Sequence, residues 1–302
     1  MSADGTTADA TTAGGAPRAR RWLVTGAHGM LGRDLAAALE GREVTLLGRA
    51  DLDVTDRDAV AEAVRGHDVV VNAAAYTAVD AAETDEERAL AVNGTAVGHL
   101  AEAAAASGAR LVQVSTDYVF DGSATEPYAE DAPFAPVSAY GRTKAEGERL
   151  ALAAHPDGTY VVRTAWLYGQ HGPNFATTML KLAAQRDTVS VVDDQVGQPT
   201  WTGDLARQVV ALVDADAPAG VYHGTASGRA SWFDFARAVF ATAGLDPERV
   251  LPTDSSSFVR PAPRPAFSVL GHDAWSAAGL APMRAWDEAL GDAARQGVLT
   301  LP

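Results

Sequence analysis

The 302-residue chain has no cysteine, two lysines among its 24 basic residues, 7% aromatic residues and a formal net charge of -15. The missing cysteine excludes disulfides, thiolate metal sites and a cysteine nucleophile. The deficit of positive charge argues against nucleic-acid binding and against an anionic membrane surface, because both require a basic field. No apolar run reaches the roughly 18–20 residues of a membrane span. Residues 1–20 are rich in Ala, Thr, Gly and Asp and lack the basic start and apolar middle of a signal peptide. They read as a disordered tail on a cytoplasmic protein.

The remaining composition, 47% hydrophobic with 28 glycines, suits a large α/β fold with a full core. Short apolar runs at Arg21–Thr25, Glu43–Leu47, Asp68–Val71, Arg110–Val114 and Tyr160–Arg163 read as strands. Helical patterns separate them at Met30–Glu40, Asp56–Val64, Glu86–Ala106 and Ser138–Ala154. This alternation predicts a Rossmann-like, doubly wound parallel sheet. After about Leu167 the rhythm changes: helices are expected at Asn174–Gln185, Gly203–Asp214, Ser231–Ala243 and Met283–Gln296, with strands at Thr188–Val192 and Gly220–His223. Residues 260–265 hold three prolines, too many for a central strand or helix. The expected division is a tail at 1–20, a dinucleotide-binding domain at 21–167 and a smaller substrate-binding lobe at 168–302, partly interleaved with the sheet.

Gly26-Ala27-His28-Gly29-Met30-Leu31-Gly32 forms a G-x-x-G-x-x-G between the first strand and the first helix. Glycine there permits the turn, lets the backbone approach a pyrophosphate and packs the helix against the strand. The second strand ends at Gly48-Arg49 without a carboxylate, which favours NADPH over NADH, since arginine suits a 2′-phosphate. Asp53 and Val54 are placed to meet the adenine edge, and the small side chains of Ala73, Ala74 and Ala75 let the backbone pass close to a cofactor.

A strand leads into Ser115-Thr116-Asp117, and Tyr140 stands four residues before Lys144 on an expected helix, so the two share a face. A nearby ammonium is expected to pull a phenol from its usual pKa near 10 toward neutrality. Thr116 would hydrogen-bond the substrate oxygen that receives the proton. A lysine in a chain that otherwise uses arginine marks a place for a compact point charge.

Together the glycine string, Ser115-Thr116-Asp117-Tyr118-Val119-Phe120 and Tyr140-x-x-x-Lys144 resemble the extended short-chain dehydrogenase/reductase superfamily. Within it the chain is similar to the dTDP-4-dehydrorhamnose reductase family, from about Arg21 to the C-terminus. Asn72 to Ala75, Thr77 to Asp80, Arg163 to Trp166, Asn174-Phe175, Asp194-Gln195-x-Gly197-x-Pro199-Thr200 and Arg264-Pro265 also match. The resemblance implies reduction of the C4 ketone of a dTDP-4-keto-6-deoxy sugar, dTDP-4-dehydro-β-L-rhamnose giving dTDP-L-rhamnose. It assigns Thr116, Tyr140 and Lys144 to catalysis. Asp117 and Trp166 become sugar contacts with Val79 and Asp80 nearby, and Asn174, Gln198 and Arg264 are assigned to the nucleotide end. Asn174 also suits a helix cap. Family members can carry Mg²⁺ at a homodimer interface, where Asp34 and Asp204 would fall; aspartates in helices are usually solvated, and no metal is expected. The alternatives are a sister dTDP-4-ketosugar reductase resembling dihydrostreptose synthase, and a non-catalytic NADP-binding regulatory subunit. A dehydratase would carry Glu where Tyr118 stands.

Overall fold

A computed structural model describes residues 19–299; nearly all of the expected tail lies outside them. The core is a six-stranded, all-parallel sheet. From edge to edge its strands are Gly220–His223, Thr159–Thr164, Arg110–Thr116, Val69–Asn72, Arg21–Thr25 and Glu43–Leu47. The interior strands read as unbroken apolar runs because helices cover both faces of the sheet. Val69–Asn72, for example, is buried at every position.

One face carries the Met30–Ala38 and Thr202–Asp214 helices, whose Leu31, Leu35, Leu205 and Val209 pack with Val24, Val71 and Val162 of the sheet. The other carries Arg57–Val64, Ala96–Ser107 and Ala139–Ala154, packed through Val60, Val97 and Leu100 onto Leu23, Val70 and Leu111. The chain moves outward from Arg21–Thr25 to Glu43–Leu47 and then crosses back to Val69–Asn72. That reversal leaves a crevice at the carboxyl ends of the two strands flanking it, the place where open α/β sheets bind ligands.

Residues beyond Leu167 contribute to two regions. The Thr202–Asp214 helix and the Gly220–His223 strand complete the central sheet layer. Phe175–Ala183, Trp232–Thr242 and Trp286–Arg295 enclose a second core of Tyr168, Met179, Phe235, Phe240 and Leu290. Val189–Val192 pairs in parallel with Val250–Thr253, a strand the sequence pattern does not predict because Pro252 interrupts it. The proline-dense residues 260–265 form no regular element, as expected.

The expected single helix over 86–106 is broken in register. Glu86–Leu90 and Ala96–Ser107 are α-helical, but Ala91–Thr95 widens into a π-turn. The π-turn presents Asn93 to the backbone of Tyr76: Asn93 Oδ1 accepts from the Tyr76 amide at 2.9 Å, and Nδ2 donates to the Tyr76 carbonyl at 3.0 Å.

Gly32 sets how closely the first helix approaches the first strand, since a Cβ there would lie 2.2 Å from the Gly26 carbonyl oxygen. Gly32→Ala should therefore lower the unfolding free energy by about 1–3 kcal/mol through overpacking. Urea denaturation of the two proteins measures this, and equal midpoints would contradict it.

Candidate active site

The glycine-rich turn and the Asn72–Ala75 segment face each other across the crevice. Gly26 has φ +68°, and a Cβ on it would lie 2.5 Å from the Ala74 nitrogen. A side chain is thus barred by conformation and by space. The Met30–Ala38 helix begins at Gly29 with no side-chain cap, so its first N–H groups stay free for an anion. The His28 ring lies against Gly48, where a Cβ would come within 2.2 Å of Nδ1. This brings the loop to the end of the second strand, next to the exposed Arg49. Leu31 packs in the core behind the loop. Asp53 is exposed and accepts from the Thr55 amide and hydroxyl, while Val54 is buried among Leu52, Val60 and Val70. An uncapped helix end facing a cradle lined by glycine and alanine fits a dinucleotide pyrophosphate.

A chain of amide side chains crosses the strand ends toward the candidate catalytic residues. Thr25 Oγ1 donates to Asn72 Oδ1 (2.6 Å), Asn72 Nδ2 to Gln113 Oε1 (2.7 Å) and Gln113 Nε2 to the Val114 carbonyl (2.7 Å). The same carbonyl accepts from Lys144 Nζ at 2.6 Å. Lys144 and Tyr140 lie on the Ala139–Ala154 helix, capped by Ser138 Oγ, which accepts from the Gly141 amide at 3.1 Å. Gly141 lets this helix sit directly on the turn after the central strand: a Cβ there would lie 2.1 Å from the Tyr118 carbonyl oxygen.

The structure brings Thr116, Tyr140 and Lys144 to one place. Thr116 hydrogen-bonds the Tyr140 hydroxyl and donates to Asp117 Oδ1 at 2.9 Å. The expected effect of Lys144 on Tyr140 is corrected. Burial, followed by the charge of Asp117, pushes the phenol above its ordinary value, and the Thr116 hydrogen bond is the one influence lowering it. The physical reason is that the Lys144 ammonium turns to the Val114 carbonyl while a buried carboxylate lies beside the phenol. Lys144 itself is pulled down to about 8 by burial, against the favourable charge of Glu148. Burial pushes Asp117 up to about 6, opposed by the nearby hydroxyls of Ser268 and Thr116, of which Thr116 donates to Oδ1.

The expected sugar and nucleotide residues separate into two groups. Asp117 is 2% exposed at the end of the central strand. Trp166 holds φ +47°, a strained backbone for a bulky residue, and stacks on Trp232 at 3.5 Å and 7°. Val79 opens the short Val79–Ala82 helix, from which Asp80 Oδ1 accepts from Arg264 Nη2 at 2.9 Å. Asp80 thereby joins the proline-rich segment to the site. In contrast, Asn174 caps the Phe175–Ala183 helix with a full capping box and donates to the Gly169 carbonyl at 2.9 Å. Gln198 is 1% exposed and clasps the Leu270 backbone from both ends of its carboxamide, at 2.8 and 3.2 Å. Those hydrogen bonds give Asn174 and Gln198 scaffold roles in the structure.

Of the two aspartates named for Mg²⁺, Asp34 has a buried Oδ2 without a hydrogen-bond partner among the described residues, whereas Asp204 is engaged by arginines. Both Asp204 oxygens accept from Arg284, and Arg207 also pairs with Asp204. Among the described residues no group of three or more His, Asp or Glu could hold a metal ion. Tyr118 has no place among the expected site residues, yet it packs edge-on against Tyr140 at 5.6 Å and 81° and feels the charges of Asp117, Arg264 and Asp80. Its position beside Asp117 in the matched string is the signal that points to it.

The pattern of the RmlD substrate binding domain matches residues 20–298. The dTDP-4-dehydrorhamnose reductase of Streptomyces griseus is 55% identical over 278 residues, covering 89% of this chain and 91% of that protein. The dTDP-4-keto-6-deoxy-D-glucose reductase of Streptomyces niveus is 53% identical over 274 residues, covering 89% and 95%. The crystal structure of the Bacillus anthracis dTDP-4-dehydrorhamnose reductase in complex with NADP superposes with a TM-score of 0.88 at 35% identity, covering 92% of this chain and all of that one.

Asp117 makes stability depend on pH. Its folded pKa of about 6 lies above the ordinary value, so its contribution is fully present below about pH 4 and is lost as the pH rises through 6. A displacement of that size is worth about 2–3 kcal/mol. Asp117→Asn should raise stability at pH 7.5 relative to wild type and flatten the profile between pH 4 and 7. Thermal denaturation across that range tests this, and parallel profiles would refute it.

Proposed function

The chain belongs to the RmlD substrate-binding-domain family, and from that premise we propose that it is an NADPH-dependent oxidoreductase. Its reaction is reduction of the C4 ketone of a dTDP-4-keto-6-deoxy sugar, with dTDP-4-dehydro-β-L-rhamnose giving dTDP-L-rhamnose. The observation that carries this reading is the grouping of Thr116, Tyr140 and Lys144 at the carboxyl end of the central strand, beside an uncapped, glycine-lined helix start. The named relatives support the substrate class, and the NADP-bound relative supports the cofactor.

The bound cofactor supplies the hydride. The side chains of the chain control the oxygen. A ketone becoming an alkoxide needs a proton donor that is loaded before reaction, and burial keeps the Tyr140 phenol protonated. Thr116 stands at hydrogen-bond distance from that phenol and donates to the same oxygen once its proton swings away from Asp117. Lys144, one helical turn from Tyr140 and anchored on the Val114 carbonyl, is the residue that would hold the nicotinamide ribose. Asp117 and Trp166 flank the sugar. Arg264 serves the nucleotide end, oriented by Asp80. Asp53, Val54 and Arg49 line the adenosine side, with Arg49 the partner for a 2′-phosphate.

Both ligands are polyanions and the protein carries a net charge of -15. Binding therefore rests on local donors, namely the free helix N–H groups and a few arginines, instead of long-range steering. A biosynthetic enzyme of this kind works in the cytoplasm, and no helix among the described residues is long and apolar enough to cross a membrane.

The direct test mixes the protein with dTDP-4-dehydrorhamnose and either NADPH or NADH, follows absorbance of the reduced nicotinamide and identifies the sugar formed. NADPH consumption with dTDP-L-rhamnose as product is expected; no oxidation of either cofactor would sink the reading. Tyr140→Phe should cut kcat by about 10²–10⁴-fold, the range for loss of a positioned acid, while NADPH binding persists. Arg264→Ala should raise KM more than it lowers kcat, because it removes binding common to ground and transition states. A selective fall in kcat would place Arg264 at the chemistry instead.

A further inference from the structure

One buried carboxylate has no part in the proton and hydride steps. Glu148 lies on the Ala139–Ala154 helix four residues after Lys144, on the same face, and is 0% exposed. It accepts from the hydroxyl of Ser115, the residue before Thr116 on the central strand. It also accepts from Arg163 of the next strand, whose Nε lies 3.1 and 3.0 Å from its two oxygens and whose Nη2 lies 2.8 Å away. Arg163 Nη1 donates to the Glu130 carbonyl at 3.0 Å and faces His223 Nε2 at 3.4 Å. The guanidinium also sits over the rings of Phe120 and Phe134.

Stability alone does not account for such a pair, since well-packed apolar replacements of buried ion pairs are often neutral or better. Its location does. The network ties the strand that ends in Thr116 to the helix that carries Tyr140 and Lys144. Glu148 on its own helix is the ionisable group that acts on the 3% exposed Lys144, while Arg163 of the next strand pairs with Glu148 and His223 faces Arg163. Burial and the charge of Arg163 push His223 down to about 3, so it stays neutral. Glu148 is the charge that favours the lysine's protonated form.

We propose that Glu148 is the positioning residue of the reducing centre: its carboxylate ties Ser115, next to Thr116, to the helix that carries Tyr140 and Lys144, and supplies the negative charge one helical turn from Lys144. The inference rests on the reductase reading above, but its test does not need turnover. The chain contains two lysines, Lys144 and Lys181. Protein labelled with [13Cε]lysine therefore gives two side-chain resonances, and Lys181→Arg assigns them.

The wild-type Lys144 resonance should titrate near pH 8. In Glu148→Gln the midpoint should fall by about one pH unit or more, the size of effect expected when an opposite charge is removed at close range. In Glu148→Asp, which keeps the charge, it should stay within about half a pH unit of wild type. The high-pH limb of NADPH oxidation should move with the resonance, whereas simple packing damage would lower the rate at every pH and leave the midpoint in place. A folded Glu148→Gln protein with an unmoved Lys144 midpoint overturns the proposal. Should glutamine leave Arg163 uncompensated and the chain unfolded, Glu148→Gln with Arg163→Gln removes both charges, and an unmoved midpoint there overturns it equally. Failure of the wild-type protein to reduce the dTDP sugar would sink the reductase reading and leave the lysine titration to stand by itself.

Discussion

Desolvation at the carboxyl end of the central strand governs the chemistry of this protein. Burial by itself drives every ionisable group there toward its neutral form: Asp117 and Tyr140 upward, Lys144 downward. What each group does then depends on the partner it is given. Asp117 receives a hydrogen bond from Thr116 that partly restores its charge. Lys144 receives the field of Glu148. Tyr140 receives one hydroxyl and a neighbouring carboxylate, so it keeps its proton. A ketone reductase needs that state, with the acid loaded before the ketone is reduced.

Holding these groups in place falls to close backbone contacts. The helix bearing Tyr140 and Lys144 is fixed on two sides by glycines. A Cβ on Gly141 would lie 2.1 Å from the Tyr118 carbonyl oxygen, and one on Gly147 would lie 2.1 Å from that of Asn93. Asn93 sits in the π-turn of Ala91–Thr95, so the irregular helix, the Tyr76 loop and the catalytic helix form one contact. Widened turns of this type recur at functional sites because they redirect a side chain without ending the helix. The amide ladder from Thr25 through Asn72 and Gln113 to Val114 locks the strand ends in the same way, and it terminates on the carbonyl that anchors Lys144.

Local information is legible in the sequence and long-range pairing is not. The alternation of short apolar runs with alanine-rich helices suffices to read the parallel sheet, because the period of each segment is a property of neighbouring residues. The glycine loop and the Tyr140–Lys144 spacing are legible for the same reason. Val250–Thr253 escapes, since its one reason to be a strand is a partner sixty residues away at Val189–Val192. Glu148 escapes because on an alanine-rich helix it looks like any surface carboxylate until Ser115 and Arg163 fold onto it. The positive φ of Trp166 and its stacking on Trp232 likewise escape, since that partner is equally remote in the chain. Asn174 and Gln198 go the other way: residues in matching strings prove to be tied to backbone groups that no spacing rule displays. The tighter hold of Tyr140 on its proton also escapes, because i, i+4 spacing says that an ammonium shares the face but not where its Nζ turns.

The arrangement of charge at the outer site follows from the same accounting. A chain with a formal charge of -15 repels a nucleotide diphosphate at distances where screening is incomplete, so recognition must come from donors met at contact. Arg264, proposed for that role, has its guanidinium engaged by Asp80 at 2.9 Å and by the Ala262 carbonyl at 3.0 Å, with Arg260 3.9 Å from the same carboxylate. Two arginines against one aspartate leave a single excess positive charge, held in a defined orientation. That cluster offers little attraction to an arbitrary anion in solution. On the proposed reading, an anion beside Tyr118 and Asp117 would meet Arg264 in an orientation already fixed by Asp80 and Ala262, so less rotamer freedom would be lost on binding. Selectivity in an acidic protein then comes from geometry close to the reacting carbon, where the buried network has already fixed the acid, the cation and the strand between them.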